Sequence, residues 1–139
     1  MTTSSENEAA LRQRGLRVTP QRALVFRLVQ EMGADHPSAE AIHVRATRQM
    51  PSLSLRTVYA ILDELEAMKA IRSLDLGTGS KRFCVNPKRH HHLVCLRCGK
   101  IKDVFAVVDL VDVPPDQRQG FVITEQDVVF RGVCAECRS

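Results

Sequence analysis

"HHHLVCLRCGK", residues 90–100, sets three consecutive histidines ahead of a Cys-x-x-Cys pair, and packing alone asks for neither. Cysteines spaced in this way place two sulfurs on one tight knuckle, and two such knuckles complete a tetrahedral site. The second knuckle is Cys134 and Cys137 in "CAEC", so Cys95, Cys98, Cys134 and Cys137 read as ligands of one structural zinc ion. The 35 residues between the pairs exceed a compact zinc ribbon, so a small sheet is expected to join them. A redox reading of Cys-x-x-Cys needs a thioredoxin-like surround, which neither pair has.

Working outward, residues 90–94 in an extended conformation would put His90 and His92 on one face and His91 on the other. The same parity separates Cys84 from Phe83 and Val85, turning it away from the apolar side. Asp103 adds a carboxylate just beyond the first knuckle, and His36 stands in "DHPSAE" before a helix. Cys84, His90, His92, His36 and Asp103 are therefore candidates for a second, regulatory metal at the hinge between two domains. A solvated histidine cluster beside a buried Cys84 is the competing reading.

Upstream, residues 1–86 read as helices followed by a hairpin. "SENE" has capping-box spacing and Gly15 can end that helix. Thr19 is placed to cap a helix starting at Pro20, with Leu24, Val25, Leu28, Val29 and Met32 as its apolar stripe. Ser38 opens a third helix that stops before Pro51. Ser54 opens a fourth, "SLRTVYAILDELEAMKA", with Val58, Ile61, Leu62, Leu65 and Met68 inward. Its first turns expose Arg56, Thr57 and Tyr59, and its acidic residues come later, the polarity of a helix entering the major groove N-terminus first. "IRSLDL" and "KRFCV", joined by "GTGS", predict a two-stranded wing. Three helices and a hairpin in this order make a winged helix-turn-helix. Residues 87–139 predict strands in "HLVCL", "KIKDVFAVV" and "FVITEQDVVF", with Pro114 and Pro115 interrupting any long helix. The fold class is α+β.

Charge follows the same division. Of the 139 residues, 1–89 carry 14 Lys and Arg against 9 Asp and Glu, a net of +5, while 90–139 carry 6 against 7, a net of −1. A basic N-terminal part suits a phosphate-facing module. No membrane span or signal sequence is legible, which favours the cytosol, where five cysteines are better metal ligands than disulfides. A zinc deaminase needs His-x-Glu and Pro-Cys-x-x-Cys, and neither is present, so no enzyme is expected.

"RVTPQR", "HPSAEAI", "LSLRTVYAILDEL", "KRFCVNPKRHHHLVCLRCGKIKDV" and "GVCAEC" together resemble the ferric uptake regulator family, from Leu11 to Cys137. The resemblance implies a homodimeric, metal-dependent repressor that binds double-stranded DNA at a palindromic operator, with a C-terminal α/β dimerisation domain. It places Cys95, Cys98, Cys134 and Cys137 at structural zinc positions and His36, His90, His92 and Asp103 at regulatory ones. Arg17 and Tyr59 fall at DNA-contact positions, to which Thr19, Arg22, Ser54, Arg56 and Thr57 are added as candidates. Ala60 stands where many relatives have arginine. Cys84 stands where iron- and peroxide-sensing branches carry Asp or Glu and zinc-sensing branches carry Cys. The expectation is a zinc-dependent repressor of zinc-uptake genes, of the zinc uptake regulator type, with an iron, manganese or peroxide sensor as the alternative. The fourth ligand beside Cys84, His90 and His92 stays open between His36, Asp103 and Asp75.

Overall fold

The computed structural model describes residues 4–85, 90–107, 109 and 111–139. The chain forms two compact units, Met1–Pro87 and Lys88–Ser139, and the boundary falls within residues 86–89, outside the described residues.

The N-terminal unit is helical with one hairpin. Helices α1 (Ser4–Gln13), α2 (Pro20–Met32), α3 (Ala39–Ala46) and α4 (Leu55–Ala67) precede strands β1 (Arg72–Leu74) and β2 (Arg82–Cys84). Three helix starts are set by hydroxyl caps. Thr19 accepts from the Arg22 N–H, Ser38 from Ala41 and Ser54 from Thr57, each filling one of the four N–H positions a helix start leaves open. "SENE" does not act as drawn, because α1 already begins at Ser4. Gly15 does follow that helix, at φ +81°, where a side chain would be strained.

The apolar stripes of α2 and α4 close on one core. Val25, Leu28, Val29, Ile42, Val58 and Leu62 are almost completely buried, and Leu11 of α1 joins them. Met68 departs from its expected place and is 41% exposed. The helix has ended at Ala67, and Lys69 at φ 60° turns the chain away. Strands β1 and β2 pair antiparallel, Arg72 with Cys84 through Leu74 with Arg82, giving the wing. Phe83 enters the core. Cys84 is also buried but lies outside that cluster, as strand alternation requires.

The C-terminal unit is built on a three-stranded sheet in the order β4 (Ile101–Val104), β3 (His91–Cys95), β5 (Val129–Gly132). β4 returns antiparallel to β3, and β5 joins its other edge in parallel. The short helix α5 (Ala135–Arg138) follows. Two expected strands are much shorter than read. Among the described residues of "KIKDVFAVV" only Ile101–Val104 form a strand, and in "FVITEQDVVF" only Val129 and Phe130 are in β5. Phe121, Val122 and Ile123 are exposed and outside any strand. Between β4 and β5 the described residues contain one 3-10 turn, Pro115–Gln117.

Candidate metal centres and nucleic-acid interface

The parallel register of β3 and β5 assembles the cysteines. Cys95 ends β3 opposite Gly132, so Cys134 arrives two residues later beside it. The Cys134 N–H points at Cys95 Sγ across 3.4 Å, and Cys98 Sγ lies 3.8 Å from Cys134 Sγ. All four sulfurs fall within 4.8 Å of one another. Zn–S bonds of ~2.3 Å at tetrahedral angles give sulfur–sulfur edges of about 3.8 Å, so the donor set fits a structural zinc ion.

Backbone N–H groups, from Cys98 first and Cys134 next, pull the Cys95 thiol down to about 5. Hydrogen bonds with Cys134 and then Cys98, helped by burial, push Cys137 up to about 12. Two contacts tie the knuckles together. Arg97 donates to the Cys137 carbonyl at 2.7 Å, and Lys100 pairs with Glu136. That pairing raises the Lys100 pKa and lowers that of Glu136. Neither contact is legible in the sequence, because the partners lie 40 and 36 residues apart.

The second cluster grows from β3 and β4. His90 and His92 share the buried face, while His91 turns the other way and its Nδ1 accepts from the Val128 N–H at 3.0 Å. Asp103 sits opposite His92 in the antiparallel register. Its Oδ1 lies 2.8 Å from His90 Nε2 and 3.6 Å from His92 Nε2. Ligand atoms around an ion with bonds of ~2.0–2.2 Å stand about 3 to 3.5 Å apart, so these three groups also fit a divalent metal. Phe105, with its ring 5.0 Å from that of His90, gives the cluster an apolar neighbour.

His36 and Cys84 belong to the N-terminal unit. His36 is buried at φ 49° after a 3-10 turn, a left-handed conformation that His tolerates better than most non-glycine residues. Its carbonyl accepts from Arg82 Nη1 at 3.1 Å, while Cys84 is buried at the end of β2. Asp75 is in the wing loop, where its side chain accepts from the Gly77 N–H.

The candidate DNA contacts divide by what they do in the fold. Thr19 and Ser54 are caps, and Ser54 also donates to Thr57 Oγ1 at 2.9 Å. Thr19, Arg22, Arg56 and Thr57 line one open cleft where α2 meets α4. Arg22 holds Glu64 at 2.8 Å and donates to the Arg17 carbonyl at 3.0 Å. Arg56 and Tyr59 stand exposed on the outer stripe of α4. The Tyr59 hydroxyl donates to Glu40 of α3 at 2.5 Å. Glu40 and Glu64 were not among the sequence candidates, since no periodicity links them to partners 19 and 42 residues away.

Residues 13–130 match the ferric uptake regulator family. The peroxide-responsive repressor PerR of Staphylococcus epidermidis is 32% identical over 134 residues, covering 96% of this chain and 89% of that protein. Among solved structures, the Helicobacter pylori ferric uptake regulator Fur, whose structure reveals three functional metal binding sites, superposes with a TM-score of 0.73 at 23% identity. The match covers 99% of this chain and 95% of that one. The Vibrio cholerae ferric uptake regulator gives a TM-score of 0.70 at 26% identity, covering 92% and 99%.

Proposed function

The chain belongs to the ferric uptake regulator family, whose members are metal-responsive transcriptional regulators and not enzymes, and on that premise we propose that it is a homodimeric repressor whose operator binding requires a second divalent ion. The observation that carries this reading is the convergence of His90 Nε2 and His92 Nε2 on Asp103 Oδ1. A cation held there replaces the contacts of two buried imidazoles and a carboxylate and is the largest local charge in the unit. The four cysteines serve a separate, structural zinc.

For the regulatory metal we take zinc first, with Cys84 and His36 added to the histidines as ligands from the N-terminal unit. A thiolate among imidazoles favours zinc over Fe(II) or Mn(II). The second reading, an iron-, manganese- or peroxide-responsive repressor, draws on a specific feature. The His90, His92 and Asp103 cluster is already an all nitrogen and oxygen set, which suits Fe(II) and Mn(II). The similarity to a peroxide-responsive repressor supports the same alternative.

In the N-terminal unit, α4 presents Arg56 and Tyr59 outward, and the net positive charge of residues 1–89 supplies the attraction to phosphate. In the C-terminal unit, Leu93 and Phe130 face each other in register and are both exposed, an apolar sheet surface suited to a second copy of the chain.

The test is operator selection from randomised duplex DNA in the presence of Zn²⁺, Fe(II) or Mn(II), for wild type and Cys84→Ala. Zinc sensing predicts selection with Zn²⁺ that Cys84→Ala loses while one zinc per chain remains. If Cys84→Ala still responds, and Fe(II) or Mn(II) drives binding better than Zn²⁺, the second reading replaces the first.

A further inference from the structure

The turn between α3 and α4 ends on a backbone carbonyl that a side chain of α3 holds. Two backbone bonds shape this turn, from the Met50 N–H to the Ala46 carbonyl at 2.8 Å and from the Leu53 N–H to the Met50 carbonyl at 3.0 Å. Leu53 stands directly before the Ser54 cap and is buried. Leu53 and Val58 occupy the positions before the cap and in the first turn where a hydrophobic staple fixes the angle of entry into a helix, and both belong to the one core. The Leu53 carbonyl lies 2.8 Å from His43 Nε2. A carbonyl only accepts, so Nε2 carries the proton and donates. His43 is half-buried in the last turn of α3, beside fully buried Ile42. The staple and the imidazole do different things. Apolar burial is non-directional and lets a backbone turn about the contact, whereas a hydrogen bond has a preferred line and restricts that turning.

We propose that His43 is a positioning residue for operator recognition, whose bond to the Leu53 carbonyl fixes how the first turns of α4 are presented to the major groove. The inference rests on the reading of this chain as a DNA-binding regulator and deepens it by naming the group that aims the recognition helix. His43 itself needs no contact with DNA. A recognition helix meets base edges with its N-terminal residues, and the Leu53 carbonyl lies immediately upstream of that end. Base-edge hydrogen bonds are lost on a small misalignment, because donor and acceptor must meet within a few tenths of an ångström. Attraction to phosphate depends on charge and tolerates the same displacement. Removing the His43 bond should therefore cost discrimination between sequences and leave non-specific binding as it was.

The experiment measures affinity for the selected operator and for a random duplex, with the full-length, metal-loaded chain as wild type, His43→Phe, His43→Asn and His43→Gln. A melting curve accompanies each variant. His43→Phe keeps a ring without a donor, His43→Asn is too short to reach the carbonyl, and His43→Gln carries an amide N–H about as far out as Nε2. His43→Phe and His43→Asn should bind the operator about tenfold more weakly, the loss of roughly one base contact, with random-duplex affinity unchanged. His43→Gln should restore most of the difference. A lower melting temperature alone does not move this ratio, since unfolding withdraws protein from both duplexes equally. The Asn and Gln variants differ by a single methylene and decide the matter if His43→Phe does not fold. If His43→Asn discriminates as well as His43→Gln, or both duplexes lose affinity evenly, the bond is only a brace between α3 and the turn and the inference is wrong. If wild type selects no sequence with any metal, the DNA-binding reading fails and takes the inference with it.

Discussion

His92 and Asp103 face each other across β3 and β4, and this pairing makes the metal-binding reading testable one side chain at a time. Asp103→Ala leaves two buried imidazoles without their carboxylate. It should abolish the second metal equivalent while the four-cysteine site keeps its zinc, as elemental analysis of dialysed protein would show. Loss of both ions together would count against two separate sites. The thiols give a pH dependence. Metal capture requires deprotonated sulfur, so the sign depends on which thiols still carry protons. Cys95, drawn down to about 5, is already a thiolate at neutral pH, whereas Cys137, pushed up to about 12, must release its proton on ligation. Zinc affinity of the stripped chain should therefore rise between pH 6 and pH 8 in a competition titration with a chromogenic chelator. A flat profile would contradict that protonation pattern. At this scale the sequence was most informative where parity decides the outcome. Spacing alone placed His90 and His92 on one face, His91 on the other, and Cys84 away from Phe83. Glu40 and Glu64 escaped because their roles exist only once α3 and α2 lie against α4.

Among the elements, the helix starts were legible because a cap is a local event. Thr19, Ser38 and Ser54 each satisfy an N–H three residues on, and each stands directly before its helix. Replacing Ser54 by Ala should cost about 1 kcal/mol of stability and lower the melting temperature by several degrees, about 4 to 8 °C for a domain of 60–100 residues. An unchanged melting curve would show that α4 is held by its packing alone. Strand extents were less legible. The apolar residues of "FVITEQDVVF" suggest a strand, but a strand also needs a partner, and β3 offers its edge only to Val129–Gly132. The knuckles are linked by Lys100 with Glu136 and by Arg97 with the Cys137 carbonyl. The Lys100 pair is solvent-exposed, so water screens it and its contribution is small. Lys100→Gln should therefore speed zinc release by no more than about fivefold in a chelator assay, with zinc content unchanged at equilibrium. Acceleration by orders of magnitude would mean that the pair supports far more of the site than an exposed contact can.

Across the whole molecule, charge is divided between a basic N-terminal part, residues 1–89, and a slightly acidic C-terminal part, residues 90–139, and the chain forms the two compact units Met1–Pro87 and Lys88–Ser139. The family match over residues 13–130 spans both. The parallel seating of β5 on β3 was not legible, since β4 and a long stretch of chain lie between the two strands and neither strand's pattern names its partner. That pairing is nonetheless what brings the second cysteine knuckle to the first. The central claim is that the ion on His90, His92 and Asp103 controls operator binding while the four-cysteine zinc does not. The most direct measurement is a metal titration of operator affinity for wild type and His92→Ala, with bound metal counted in the same samples. The account predicts two ions per wild-type chain, with tight operator binding only when the second is present. It predicts one ion for His92→Ala, with weak, salt-sensitive binding at every metal concentration. Operator binding by His92→Ala that still rises to the wild-type level with added metal would contradict it.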